Sequence, residues 1–207
     1  MIKRILSMVL MMALPITAFA ACGKTDGESK DSENAKTETT APVKVAIEVK
    51  DFGTMTLELY PDKAPITVEN FLAYVNDGFY NGLTFHRIYK GFMIQGGDPK
   101  GDGTGNGNRP AIKGEFSSNG VNNDLSHKRG VISMARTNVN DSATSQFFIC
   151  DADSTFLDGN YAAFGMMTDG FDVLDAIAST EVKSNLYGEK STPIDPPVIE
   201  RIYVVEN

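Results

Sequence analysis

The chain has 207 residues, 42% of them hydrophobic and 22% charged, with 19 Lys and Arg against 27 Asp and Glu. That length accommodates one well-buried domain with an appendage, and a formal charge of −8 excludes the basic face that a nucleic-acid binder needs. Two Cys and two His exclude a disulfide-built scaffold and leave too few soft ligands for a zinc site made of Cys and His alone.

Lys3 and Arg4 precede 16 uncharged residues, 5–20. This run is short of the ~20 apolar residues that cross a bilayer, and it fits the apolar core of a signal peptide over residues 1–21. Two cleavage readings compete. Ala18-Phe19-Ala20 matches the small-x-small site of ordinary secretion, with cutting after Ala20. Phe19-Ala20-Ala21-Cys22 resembles the bacterial lipobox, in which Cys22 becomes the lipidated first residue, although Phe19 stands where Leu is usual. Residues 23–41 contain no large apolar side chain, so they cannot offset their ordering entropy, and 22–41 read as a flexible tether. Nineteen residues of random coil span roughly 25 Å. The lipobox reading therefore places an exported domain on the outer face of the cell membrane, held through Cys22; the alternative is a secreted protein.

The folded part is expected over residues 42–207. Val43, Val45, Ile47 and Val49 alternate with more polar neighbours, and Met55, Leu57 and Leu59 continue the period of two beyond Asp51-Phe52-Gly53: a hairpin. A helix opens near Ala64-Pro65, carries Val68, Phe71, Leu72 and Val75 on one stripe, and ends at Gly78. Short apolar runs follow at 83–88, 92–95, 130–135, 146–150 and 161–166. A second helix is predicted over 171–178, and a last strand over 198–205 after Pro196-Pro197. About eight strands and two helices predict an all-β-dominated fold: a closed eight-stranded antiparallel barrel capped by two helices.

Chemistry concentrates in three stretches. The first runs Phe85-His86-Arg87 through Gly91-Phe92-Met93-Ile94-Gln95-Gly96-Gly97-Asp98. The second runs from Gly130 to Arg136 and resumes at Ser145-Gln146-Phe147-Phe148-Ile149-Cys150; the third is Phe156-Leu157-Asp158-Gly159-Asn160-Tyr161, leading to Phe164-Gly165. Taken alone, Arg87 in an apolar run reads as a charge that must be paired, and Phe92 and Met93 read as core. In order and spacing, however, the three stretches resemble the cyclophilin family of peptidyl-prolyl cis-trans isomerases over essentially all of 43–205.

The resemblance implies a monomeric enzyme acting on proline-containing segments of unfolded or exported proteins, without a cofactor. It makes Arg87 the catalytic residue. Phe92 and Met93 line the proline pocket, Gln95 bonds the substrate backbone, and Ala135 and Arg136 line the groove, Arg136 through its main chain. Gln146 and Phe148 form the pocket wall, and Leu157 closes it. Phe156 stands where eukaryotic members carry a Trp that helps bind cyclosporin, and Tyr161 replaces a rim His; both match bacterial members.

The remaining polar residues read as structural. His86 points to the face opposite Arg87 and is expected to be a hydrogen-bonded structural residue, while His127, beside Lys128 and Arg129, is expected to be solvated. The Gly-rich stretch 101–107 lacks the Lys-Ser/Thr ending of a phosphate loop; the resemblance implies that it edges the groove. Asp151, Asp153 and Asp158 are at most an adventitious cation site, and Cys150 reads as a buried, inert thiol.

Overall fold

The computed structural model describes residues 41–206; the predicted signal peptide, Cys22 and nearly all of the tether lie outside them. The chain opens with β1 (Val43–Val49) and β2 (Gly53–Leu59), paired antiparallel from Val43↔Leu59 to Val49↔Gly53. Asp51 turns the chain with φ 64°, a left-handed conformation that a short polar side chain tolerates. Val45, Ile47, Val49, Met55, Leu57 and Leu59 all face inward, as the alternation requires.

Helix α1 (Pro65–Asn76) follows, with Val68, Phe71 and Val75 buried and Leu72 packed at the core's margin. Its stop is the expected one: Asp77 caps, and Gly78 at φ 65° donates its N–H to the Val75 carbonyl. Its start is not visible locally, because Ala64 offers no side-chain cap. The buried Glu115 carboxylate instead accepts the N–H groups of Ile66 (3.1 Å) and Thr67 (2.7 Å), satisfying two orphan donors from across the fold.

The rest of the chain supplies β3 (Arg87–Tyr89), β4 (Met93–Gly96), β5 (Val131–Met134), β6 (Phe147–Cys150), β7 (Ala163–Asp169), α2 (Phe171–Ala178), β8 (Val182–Ser184), β9 (Lys190–Pro193) and β10 (Ile199–Val204). Eight strands form one antiparallel sheet in the order β10-β1-β2-β7-β5-β6-β4-β3. The predicted barrel is not closed. The sheet is an open, strongly curled half-barrel whose end strands, β10 and β3, share no ladder. The segments before them meet only at the Thr84↔Val198 bridge and a few backbone hydrogen bonds, such as Phe85 N–H to the Pro197 carbonyl (3.0 Å). Pro196 and Pro197 lack the N–H groups that a continued ladder would need. Strands β8 and β9 form a separate hairpin, which the weak apolar pattern of 182–193 did not reveal.

One core fills the curl. Phe71, Tyr80, Phe147 and Phe164 meet there with ring centroids 5.2–5.5 Å apart, in tilted and edge-on geometries that suit aromatic quadrupoles. The Glu115 cap is the test of how α1 is anchored. Glu115→Ala should lower unfolding free energy by about 1–2 kcal/mol in urea titration, the cost of losing a helix cap; an unchanged midpoint would contradict that role.

Candidate active site

The strands beside β3 have two different faces. Along β4 and β6, Ile94, Phe147 and Ile149 enter the main core, while Met93, Phe148 and Cys150 point to the other side and form a second apolar cluster with Leu157. Phe92, Ala135 and Tyr161 pack against that cluster. The register aligns a row across four strands, Arg87↔Gln95, Gln95↔Phe148 and Phe148↔Ser133. Side chains of one such row share a face at the ~4.8 Å spacing of strands. A charge, an amide and an aromatic ring thus stand side by side because the pleat puts them there.

This face floors a cleft of ≈ 320 Å³ lined by Arg87, Phe92, Met93, Gln95, Ala135, Arg136, Phe148, Phe156, Leu157 and Tyr161. All the groove residues expected from sequence meet there except Gln146. Its amide accepts from Gln95 Nε2 (2.9 Å) and donates to the Gly105 carbonyl (2.7 Å), tying the Gly-rich loop to a residue of the lining. Phe156 is largely exposed and meets Phe92 at 5.4 Å between centroids, extending the apolar surface outward.

Arg87 is half-buried, and each edge of its guanidinium has a partner. Nε and Nη2 donate to the two carboxylate oxygens of Glu189, both at 2.8 Å. Nη1 donates to Gln95 Oε1 at 3.2 Å and lies 3.8 Å from Met93 Sδ, and the Phe92 ring stands 5.9 Å from the guanidinium carbon. Hydrogen bonds from Arg87 hold the Glu189 carboxyl at about 2, well below the usual carboxylate range and against its partial burial, with a further bond from Ser191. Glu189 therefore stays ionised at any ordinary pH. Sequence reasoning missed it: the contact spans 102 residues, and the only local signal is the turn-forming Asn185 and Gly188 before it.

Arg136 is anchored through its side chain. Its side chain lines the cleft, stacked over Tyr161 (4.7 Å) and Phe116 (5.1 Å) and donating to the carbonyls of Asn160 and Thr137.

The histidines depart from expectation. His127 is not solvated; it is 1% exposed, with Nδ1 2.8 Å from Asp158 Oδ1 and Nε2 3.0 Å from Ser133 Oγ. Burial holds its pKa down in spite of Asp158, so the ring is neutral, donating from Nδ1 and accepting from the Ser133 hydroxyl. Its ring stacks behind Phe148 at 6.0 Å. The Ser133–His127–Asp158 chain has the order of a hydrolytic triad, but Ser133 is fully buried and no substrate can reach it. It is a strut for the pocket wall. His86 is buried, but the expected hydrogen bond is missing: neither ring nitrogen has a partner at good geometry, and burial lowers its pKa too.

The three aspartates hold separate partners. Asp151 accepts the Gly91 N–H, Asp153 pairs with Lys128 and accepts the Arg129 N–H, and Asp158 holds His127. Cys150 is a free buried thiol, pushed up to about 12 by burial.

Both histidines make stability pH-dependent in one direction. Their folded pKa values lie below the 6.5 of an unfolded imidazole, so below pH 6.5 the unfolded chain binds more protons than the folded one. Unfolding free energy should fall as pH drops from 7.5 through 6.5 to 5.5, with a slope below that of wild type in His127→Asn. Equal stability at pH 7.5 and 5.5 would contradict buried neutral imidazoles.

Comparison with known proteins places the whole described domain. The family model for cyclophilin type peptidyl-prolyl cis-trans isomerase/CLD matches residues 44–204. Peptidyl-prolyl cis-trans isomerase A of Dickeya dadantii is 42% identical over 159 residues, 74% of this chain and 80% of that one. Peptidyl-prolyl cis-trans isomerase B of Escherichia coli is 38% identical over 163 residues, 74% of this chain and 95% of that one. A cyclophilin type isomerase from Cryptosporidium parvum, 32% identical, superposes with a TM-score of 0.69 over 81% of this chain and 99% of its own; it has also been solved in the presence of the dipeptide Ala-Pro.

Proposed function

The chain belongs to the cyclophilin-type peptidyl-prolyl cis-trans isomerases, a family of enzymes, and we propose that it turns X-Pro bonds of exported proteins by charge stabilisation from Arg87. The observation that carries this reading is the Nη1 edge of Arg87, set beside Gln95 in a cleft floored by Met93, Phe148 and Leu157. The Ala-Pro dipeptide used with the Cryptosporidium parvum relative is the smallest form of the same substrate class.

The reaction needs no bond broken. An X-Pro amide is held planar by C–N double-bond character, with a barrier near ~20 kcal/mol and exchange over tens to hundreds of seconds. Twisting it makes the proline nitrogen pyramidal and gives it a lone pair that the planar ground state lacks. A cation that reaches that nitrogen only in the twisted form lowers the barrier without tightening ground-state binding. Arg suits this because its charge is permanent and its donors lie in one rigid plane. Met93, Phe148 and Leu157 grip the ring, Gln95 holds the flanking backbone, and the free half of the amide rotates. Ala135 and Arg136 border the channel through which the peptide runs.

Residues 1–21 and the tether support export, with the Phe19-Ala20-Ala21-Cys22 sequence favouring attachment by a lipid on Cys22 over simple secretion. A membrane-tethered, monomeric isomerase would meet chains as they emerge and would recognise short extended segments.

Arg87→Ala should lower kcat/KM in a protease-coupled assay on an Ala-Xaa-Pro-Phe peptide by about 10²–10³-fold, as for loss of one transition-state donor, while the far-UV spectrum stays native; wild-type turnover in a folded variant would remove the assignment. Independently, cells given a radioactive fatty acid should label the full-length chain, and Cys22→Ser should abolish the label. Label that survives Cys22→Ser would remove Cys22 as the lipid site, and label that never appears on wild type would turn the reading to secretion.

A further inference from the structure

The carboxylate of Glu189 is delivered to Arg87 by a turn built for the purpose. Asn185 Oδ1 accepts the N–H groups of Tyr187 (2.9 Å) and Glu189 (3.0 Å), Asn185 N–H reaches the Glu189 carbonyl (2.8 Å), and Gly188 at φ 82° closes the loop with its N–H on the Asn185 carbonyl (3.1 Å). The flanking strands β8 and β9 pair with each other outside the main sheet, and β9 packs beside β3. Strand β3 ends the sheet, with β4 on one edge only, so its other side is open to the hairpin. A fixed loop and an edge strand therefore bring one carboxylate to one guanidinium.

The contact is two-pronged. Glu189 takes Nε and Nη2 at 2.8 Å each, the side-on arrangement in which a planar carboxylate matches a planar fork, and Gln95 takes Nη1 at 3.2 Å. A lone Arg side chain has several freely rotating bonds and would spread its charge over many positions in the cleft mouth. Held on both edges, the plane has one orientation, and only its second Nη2 proton is without a partner among the described residues. The cleft's other guanidinium, Arg136, is held differently, by carbonyl oxygens and ring faces.

We propose that Glu189 is a positioning residue for the isomerase reaction, fixing the Arg87 guanidinium in the orientation that meets the twisted imide nitrogen. This rests on the reading of Arg87 given above. Because the gain is realised in the transition state, the loss on removing Glu189 falls on kcat and leaves KM nearly unchanged. The carboxylate also offsets the Arg87 charge in the resting cleft, so Glu189 does not act by raising the positive field. It acts by geometry.

The experiment measures kcat and KM for Glu189→Gln, Glu189→Ala and Glu189→Asp by protease-coupled assay, with Arg87→Ala in parallel. The ¹⁵N-resolved Nε–H signal of Arg87 is followed in each variant that retains Arg87. Glu189→Gln keeps the size of the side chain and guards against misfolding of the alanine variant. The expected result is a fall in kcat of about tenfold or more for Gln and Ala, on the scale of a misplaced catalytic group, partial recovery in Asp, and a protected Nε–H signal in wild type that broadens or vanishes in Gln and Ala. Wild-type or raised kcat in folded Glu189→Gln, or an Nε–H signal as protected as in wild type, would overturn the proposal. If Arg87→Ala loses turnover while Glu189→Gln keeps it, only the role of Glu189 fails; if Arg87→Ala keeps turnover, the reading beneath it fails as well.

Discussion

Strands β4 and β6 have to satisfy two apolar environments at once. Their period of two sends Ile94, Phe147 and Ile149 into the main core and Met93, Phe148 and Cys150 into the cluster that floors the cleft. A one-residue slip would exchange the two sets, burying Gln95 and lifting core side chains into solvent. The register is therefore held from both sides, and the site inherits its rigidity from the fold. Behind it, the neutral His127 ties Ser133 to Asp158 and backs the Phe148 ring, so even the rear of the pocket wall is hydrogen-bonded in place.

On that apolar floor the electrostatics are economical. One half-buried guanidinium supplies the charge, and a carboxylate that stays ionised holds it still. The two histidines of the chain are kept neutral by burial behind the cleft or away from it, and neither lines it. Chemistry of this kind, in which a bond twists and none is broken, calls for a fixed dipole environment more than for a proton acceptor. On the proposed reading the cleft supplies one: a fixed charge, an amide beside it, and apolar walls that keep the local dielectric low.

Much of this was legible in the sequence. The β1–β2 hairpin, α2 and the stop of α1 carry local signals: alternation over 43–59, apolar spacing over 171–178, and a glycine at 78 in left-handed backbone. The groove residues were legible because the motifs from Phe85 to Gly165 resemble those of the family; Met93, Gln95 and Phe148 lie on strands, whereas Phe156 and Leu157 lie on a short 3-10 turn. What stayed hidden depends on distant partners. Glu115 caps α1 from 48 residues beyond Thr67, Glu189 reaches Arg87 across 102, and His127 lies in a polar run yet is buried by Asp158 and Phe148. The closed barrel failed for a related reason. A count of strands cannot show that two prolines stand where the last ladder would have to form.

The central claim is that binding the proline and lowering its barrier are separable, the first belonging to the apolar floor and the second to Arg87. Two-dimensional exchange NMR on an Ala-Pro-containing peptide with a small amount of enzyme tests it directly. Wild type should give cis–trans exchange cross-peaks; Arg87→Ala should still shift the methyl and ring signals of Met93 and Phe148 on peptide addition, yet give none. Exchange at the wild-type rate with the guanidinium gone would contradict the account.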